Sequence, residues 1–201
     1  NNIVPFSKKA ISLWRHDLNL TLEASEVGTA VGDGSGNLLD DVNNFTGGIS
    51  GTFSNTGFVT IINGSITKDQ LNLLDARTSG VITAVISTSS STDLALLTNA
   101  NSNNQLIITL AAASATATEL LAIDARTARQ VDATAVTAIT GTAADIASVM
   151  TADTNGTLDV DGNFTATVDA GIVNASDLNA ISAKTTGTVD ATAATAINGS
   201  A

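Results

Sequence analysis

The stretch TATELLAIDARTARQV, residues 116–131, decides the fold because its pattern recurs along most of the chain. Thr116 and Glu119 have the S/T-x-x-E spacing of a capping box, in which each side chain bonds a backbone N–H of the first helical turn. Leu120 and Ile123 follow three residues apart and therefore lie on one face of a short helix. The last residue of the stretch begins an apolar run that favours a β-strand. This stretch predicts one helix, one turn and one strand.

The same arrangement occurs five times, as a small polar cap, an acid or amide three residues later, then Leu or Ile, then an aliphatic residue three positions on. The sets are Thr67, Gln70, Leu71, Leu74; Ser90, Asp93, Leu94, Leu97; Thr116, Glu119, Leu120, Ile123; Thr142, Asp145, Ile146, Val149; and Asn174, Asp177, Leu178, Ile181. A strand-like run begins eleven or twelve residues after each Leu or Ile, at Ile82, Leu106, Val131, Leu158 and Val189. We expect these five residues to lie in neighbouring parallel strands of one sheet, joined by right-handed crossovers.

The spacing of the caps predicts the fold class. Successive caps are 23, 26, 26 and 32 residues apart, which is the period of a solenoid whose coils must stack because one coil cannot bury its own apolar face. The segments QLNLLDARTSGVITA, ELLAIDARTARQVDA and DLNAISAKTTGTVDA align at offsets of 49 and then 58 residues, so the larger repeat is a pair of coils. The sequence predicts an α/β solenoid of stacked coils, each a short helix plus a parallel strand.

The pattern divides the chain into two predicted domains. Residues 58–201 form the solenoid of about five coils, whereas residues 1–57 do not follow the pattern and hold the only Pro, Trp and His. The alternation of Leu18, Leu20 and Leu22 predicts a strand with one buried face. We interpret residues 1–57 as a β-rich cap on the first coil, with a docking segment as the alternative.

The two ends of the chain differ in character. Gly199, Ser200 and Ala201 align with Gly141, Thr142 and Ala143, where a helix starts, so we expect the array to be truncated at its C-terminus. Residues 1–20 carry three bases and one acid, and the remainder carries five bases and eighteen acids. We therefore expect the unlike ends to associate head to tail, as a contact that propagates.

Composition narrows the function classes. The formal net charge of −11 and the pI of about 4.1 argue against nucleic-acid backbones and anionic membranes as partners. The chain has no Cys, which excludes disulfides and thiolate metal sites. No apolar run approaches the roughly 18 residues of a membrane span. Aromatic residues make up only 3% of the chain, so a core of Ala, Val, Ile, Leu and Thr methyl groups is expected, as in narrow stacked coils.

Two acidic clusters could bind calcium. The first comprises Asp153, Asn155, Asp159, Asp161 and Asn163; the second comprises Asp33, Ser35, Asn37, Asp40 and Asp41. Both supply the oxygen ligands that Ca²⁺ prefers. Their spacing is neither the EF-hand pattern nor the nonapeptide pattern of calcium-binding β-helices, and the same residue types build ordinary turns.

Other polar residues have structural interpretations. His16, the only His, has no nucleophile or metal-ligand spacing around it, which favours a structural or surface role over a catalytic base. Recurring charges occupy equal repeat positions, namely Asp75 and Asp124, and then Arg77, Arg126 and Lys184. They indicate either a ligand-binding ladder or, as we favour, a solvated edge. No catalytic constellation is present, and we expect the chain not to be an enzyme.

The Ala- and Thr-rich phrases support a resemblance. The segments VDATAVTAITGTAADIA and DLNAISAKTTG, within residues 60–201, resemble repeats of giant cell-surface and secreted proteins of marine cyanobacteria. The resemblance implies an extracellular or cell-surface location and a structural or adhesive role, as the shaft of a filament, surface layer or adhesin. Similar repeats occur in phage fibres, so a virion appendage is an alternative, as is a surface module that binds calcium or glycan.

Overall fold

In this computed structural model, the described residues of the 201-residue chain are 20–24, 58–76, 78–98 and 101–199. The predicted N-terminal cap, residues 1–57, thus lies outside the described residues except at 20–24. There the expected strand is present as β1 (Leu20–Glu23). The described part is a mixed α/β fold of short helices and small parallel sheets, none of which closes into a barrel.

The chain forms two compact units, and each unit is built from two separate segments of the sequence. The first comprises Asn1–Thr88 and Leu97–Ile107, and the second comprises Ser89–Leu96 and Ile108–Ala201. Besides β1, the first unit contains β2 (Val59–Ile62), α1 (Lys68–Asp75), β3 (Ile82–Val85) and β4 (Gln105–Ile107). The second contains α2 (Ser91–Leu94), β5 (Ser114–Thr116), α3 (Ala117–Asp124), β6 (Val131–Ala133), β7 (Ala138–Gly141), α4 (Ala143–Asn155), β8 (Leu158–Val160), β9 (Thr165–Val168), β10 (Gly171–Asn174), α5 (Ala175–Ser182), β11 (Val189–Asp190) and β12 (Ala194–Asn198).

The described residues of the first unit form a sheet in the order β1-β2-β3-β4, with every pair parallel. Parallel neighbours need a long connection between them, and α1 supplies it between β2 and β3. Alternate residues of β2 and β3 are buried, for example Val59 and Ile82, which are paired in register. Leu71 and Leu74 on α1 are buried at 1% exposure each, so the helix closes the apolar side of this unit.

The second unit contains three small parallel sheets, with the orders β5-β7-β9-β11, β6-β8 and β10-β12. In the largest sheet Ala115, Ile139 and Ala166 follow one another across the strands, and all three are buried. Val131 pairs with Leu158 in the second sheet, and both have 0% exposure. The core of this unit is thus built from side chains that follow one another across parallel strands.

All five predicted helix starts are confirmed. The N-caps of α1 to α5 are Thr67, Ser90, Thr116, Thr142 and Asn174. Complete capping boxes are present at Thr67 and Thr116, whereas Asn174 makes no side-chain bond to the helix backbone. The longest helix, α4, ends at Gly156, whose φ of 74° is the left-handed conformation that favours glycine.

The prediction that the five strand-starting residues share one sheet is wrong. Each of them does lie in a strand, and the pairs Ile82/Leu106 and Val131/Leu158 lie in neighbouring parallel strands. Val189, however, pairs with Ala166 of β9 and not with the strand of Leu158. The reason is that three strands, β8 to β10, separate α4 from α5, whereas only two separate α3 from α4. The extra strand shifts the register of the next coil by one strand.

Candidate functional site

The five residues predicted to bind calcium lie around α4 and β8. Asp153 and Asn155 belong to α4, Asp159 to β8, and Asp161 and Asn163 to the segment between β8 and β9. Lys184 Nζ lies 2.9 Å from Asp153 Oδ2, and Val160 N donates to Asp153 Oδ1 at 3.2 Å. Both oxygens of this carboxylate are therefore in use, while the other four side chains are exposed.

The described ranges contain no group of three or more His, Cys, Asp or Glu residues placed as metal ligands. Calcium binding stays a prediction for the first cluster. The second cluster, at residues 33–41, and His16 lie outside the described residues.

The recurring acids are not a solvated edge, which corrects the interpretation favoured from the sequence. Asp75 is only 5% exposed, and its Oδ1 lies 3.5 Å from Asn104 Nδ2 of a later coil. Asp124 is half-buried and accepts a hydrogen bond from Thr157 Oγ1 at 3.1 Å. Each acid thus accepts a bond from a residue about thirty positions later, within its own unit. The repeated position connects consecutive coils. Arg77 lies outside the described residues.

Only one of the two carboxylate oxygens of Asp124 has a hydrogen-bond partner among the described residues. Its Oδ1 atom is buried without a hydrogen-bond partner among the described residues, as is Nε of Arg126. Burial raises the pKa of Asp124, and the bond from Thr157 offsets this effect only in part. The ionised carboxylate is therefore less stable in the folded chain than in the unfolded chain.

We expect Asp124→Asn to stabilise the protein at neutral pH by about 1 kcal/mol, the size of a typical single substitution, because burial disfavours the ionised carboxylate more than the neutral amide. Since the folded pKa is raised, the favourable contribution of Asp124 is complete below its unfolded pKa and is lost as pH rises through its folded pKa. The difference in stability between the variant and the wild type should accordingly vanish near pH 3. Urea unfolding at pH 7 and near pH 3 measures this difference. The exposed Asp159→Asn controls for charge, and an equal gain from both variants contradicts the explanation.

Glu119 connects α3 to the preceding helix α2. Its Oε2 accepts bonds from Ser91 Oγ at 3.1 Å and from Thr116 N at 3.0 Å, and its Oε1 accepts from Thr92 Oγ1 at 2.9 Å. Burial raises the pKa of Glu119, but the hydrogen bonds from Thr116, Thr92 and Ser91 outweigh burial, and the pKa is lowered. One side chain therefore closes its own capping box and binds two residues of the neighbouring helix α2.

Glu119→Gln should destabilise the protein at neutral pH by about 0.5–1.5 kcal/mol, since an amide nitrogen replaces one accepting oxygen. The lowered folded pKa means that the contribution of Glu119 is present above its unfolded pKa and is lost as pH falls through its folded pKa. Denaturant titrations at pH 7 and near pH 3 should thus show a difference between wild type and variant only at the higher pH. A difference of the same size at both pH values would contradict a role for the ionised carboxylate.

A small cavity of about 120 Å³ lies beside the first residue of α4. Its lining includes Thr142, Asp169, Gly171 and Asp177. Pockets for organic ligands usually enclose roughly 300–1,000 Å³ and are mainly apolar. In the described part of the chain, which contains neither His nor Cys, the polar side chains of this cavity are two carboxylates, the Thr142 hydroxyl and the Asn174 amide.

The last described strands of the second unit carry apolar residues that are more exposed than the aligned residues earlier in the chain. Val131, Ala133, Val136 and Ile139 are each 0% exposed. The residues 58 positions later in the chain are Val189, Ala191, Ala194 and Ile197. The first three are half-buried and Ile197 is 59% exposed. We call these four residues the outer face.

The strands that carry the outer face pair on one side only. β11 pairs with β9, and β12 pairs with β10; no described strand lies beyond either of them. Leu178 on α5 is half-buried, whereas its equivalent Leu120 is 0% exposed. Within the described residues, the outer face is therefore an apolar surface beside strand edges that pair on one side.

Comparison with family models, with curated proteins and with solved structures finds no match to this chain. No helix among the described residues has the length and apolar composition needed to cross a membrane. The sequence alone does not give the degree of burial, because the residue types around Val131 and around Val189 are nearly the same. Only the structure distinguishes a covered valine from an uncovered one.

Proposed function

We propose that this chain is a non-enzymatic structural repeat protein that serves as the shaft of an extracellular filament, surface layer or adhesin. In this proposal the coils of each unit stack as an α/β solenoid. The observation that carries it is that equivalent residues of consecutive coils bond to each other repeatedly, through parallel ladders and through side chains. A shaft needs this property, because each coil must hold the next one.

The side-chain contacts between coils support the proposal. Glu119 accepts from Ser91 and Thr92, Asp124 accepts from Thr157, and Lys184 forms an ion pair with Asp153. In the first unit, Asn72 Oδ1 accepts from Thr98 N at 2.9 Å and Asn101 Nδ2 donates to the Ser79 carbonyl at 2.9 Å. The carboxylate, hydroxyl and amide groups in these bonds are types that enzymes often use in their active sites. In this proposal they instead join one coil to the next.

Duplicating one pair of coils tests the solenoid directly. The tetrapeptide VDAT occurs at residues 131–134 and again at 189–192, so a second copy of residues 133–190 inserted after Asp190 leaves both junctions unchanged. In a solenoid each repeat contacts only its neighbours. We therefore expect the longer chain to fold and the urea m-value to rise with the added buried surface.

The control for the duplication is an insertion of the same 58 residues in scrambled order at the same place. It should not raise the m-value, because it lacks the capped helices and the parallel strands. If the duplicated chain unfolds or aggregates as the scrambled chain does, the solenoid proposal fails.

Immunogold labelling tests the location. An antibody raised against the chain should label structures that project from intact source cells. Gold on virions would favour the phage-fibre alternative, and labelling confined to the cell interior would contradict both.

A further inference from the structure

Some of the described asparagines bind other parts of the fold through their side chains. Asn72, Asn101 and Asn104 are buried or half-buried, and each bonds a residue 22 to 26 positions away. None of the three is followed two positions later by Ser or Thr. Their amide groups are therefore used by the fold itself.

A second group of asparagines carries the signal Asn-x-Ser/Thr, called a sequon, which marks acceptors of N-linked glycans. Its described members are Asn63, Asn155, Asn163, Asn174 and Asn198, and all five are exposed. Asn155 and Asn163, the two amides of the cluster predicted to bind calcium, make no side-chain hydrogen bond to any described residue. Their amide nitrogens are accessible acceptors.

The backbone beside both asparagines is open. Asn155 is the last residue of α4 and is followed by Gly156, whereas Asn163 follows Gly162 between β8 and β9. A Cβ atom added at Gly156 would have no neighbour within 4 Å, and at Gly162 the nearest atom would be 3.7 Å away, in ordinary contact. The folded chain therefore has room for a glycan at either position.

An acid stands two positions before each of these asparagines. Asp153 precedes Asn155 and Asp161 precedes Asn163, so both sites read D-x-N-x-T, whereas the other three described sequons have an apolar residue at that position. The shared acid offers a negative charge that a transferase with a basic acceptor groove can recognise. It sets these two sites apart from the rest.

We propose that Asn155 and Asn163 are N-glycosylation sites that accept a glycan from a lipid-linked oligosaccharide pyrophosphate. The proposal rests on the extracellular location proposed above, because sequons are modified on exported chains. In the reaction a bond forms between Nδ2 of the asparagine and C1 of the sugar, and the bond from C1 to the pyrophosphate oxygen breaks. The lipid pyrophosphate leaves with the electron pair, and the amide proton passes to a base of the transferase.

The hydroxyls of both sequons are bound within the fold. Thr157 Oγ1 donates to Asp124 Oδ2 at 3.1 Å, and Thr165 Oγ1 donates to the Thr137 carbonyl at 3.2 Å. Since the sequon is recognised through this hydroxyl, glycan transfer precedes the formation of these bonds. The folded chain then keeps the modified asparagines in solvent, where they disturb no contact.

Peptide mass spectrometry of the full chain purified from its source cells tests the proposal. We expect glycan mass on the peptides that contain Asn155 and Asn163, and release by a glycan amidase should convert both residues to Asp. An unmodified asparagine at either position overturns the proposal for that site.

Variants of the full chain, secreted from a host that performs N-glycosylation, test the role of the sequon. Thr165→Ala should abolish the glycan at Asn163, and Thr165→Ser should keep it because the hydroxyl is retained. Asn163→Gln should lose the same glycan and stay folded by circular dichroism, since its side chain is exposed. The matched control is Asn179→Gln, at an exposed asparagine outside any sequon. A glycan kept by Thr165→Ala, or lost in the control, overturns the assignment.

These outcomes are distinguishable from failure of the proposed function. If gold labels surface structures and both asparagines are unmodified in that material, the location stands and the glycosylation sites are wrong. If both asparagines carry glycans and the duplicated chain fails to fold, the glycosylation sites stand and the solenoid is wrong.

Discussion

Leu120→Ala should destabilise the protein by about 2–5 kcal/mol, the range measured when a buried leucine is truncated and leaves a cavity. Leu120 is 0% exposed on the inward face of α3, and the adjacent Ile123 is 0% exposed as well. The helix α3 packs between α2 and α4 of the same unit, so the site has little freedom to collapse. Urea unfolding followed by circular dichroism measures the change in free energy.

Leu178→Ala is the matched comparison because Leu178 occupies the same position in α5. Its side chain is only half-buried, so less apolar surface returns to water when it is truncated and no closed cavity forms. We expect it to cost less than half as much as Leu120→Ala. Equal costs would show that burial by the next coil does not determine the stability of these helices.

Thr116→Ala is expected to cost about 1 kcal/mol, the usual contribution of an N-cap. The variant loses the bond from Glu119 N to Thr116 Oγ1, at 3.1 Å. It keeps the reciprocal bond from the Thr116 backbone to Glu119. A loss as large as that of Leu120→Ala would mean that the hydroxyl has a further role beyond the helix terminus.

The helices could be predicted from the sequence because capping is local. An N-cap and its partner are three residues apart, so Thr67 with Gln70 and Thr116 with Glu119 are visible without any tertiary information. The burial of the following Leu or Ile then comes from helical periodicity. For this reason all five helix starts were predicted at the correct residue.

The division of the strands among several sheets could not be predicted in the same way. The strands of the second unit have two to five residues, too few for an alternating pattern to stand out from Ala- and Thr-rich background. The turn between β6 and β7 is made by Asp132, whose Oδ1 accepts from the backbone N and the hydroxyl of Thr134. Asp190 and Thr192 repeat these bonds. The recurring VDAT tetrapeptide carries this signal, although its first residue, Val131 or Val189, also begins the run that favours a strand.

The side-chain contacts between successive repeats join residues that are far apart in the sequence, so a local sequence pattern does not predict them. Asp124 and Thr157 are 33 residues apart, and Asp153 and Lys184 are 31 apart. Their pairing follows only once the number of strands in each coil is known. The sequence does contain a local signal for a turn, at Thr78, Thr127 and Thr185. Each of these threonines accepts a hydrogen bond from the backbone N–H two residues later. These threonines follow the recurring basic position and mark the turn after the helix.

Gly187→Ala is the second substitution for which we expect a large loss, about 3 kcal/mol or more, as for a side chain forced into a filled space. A Cβ atom at residue 187 would lie 2.8 Å from the carbonyl carbon of Phe164 and closer still to its oxygen. Both are backbone atoms of the preceding coil, so no side-chain rotation relieves the overlap. The turns would have to separate, which would strain the bond from Thr185 Oγ1 to the Phe164 carbonyl and the 2.9 Å bond from Thr186 N to the Gly162 carbonyl.

Gly162→Ala provides the matched control for this close approach, because it lies in the opposing turn and its nearest neighbour, the Lys184 carbonyl oxygen, would be 3.7 Å from the new Cβ. That distance is ordinary van der Waals contact, so we expect a change within about 0.5 kcal/mol, as at other unstrained surface positions. Thermal and urea unfolding of the two variants measure the difference. If Gly187→Ala is as mild as Gly162→Ala, the two turns are not held in contact, and the bonds of Thr185 and Thr186 to the preceding coil contribute little to the cohesion of the stack.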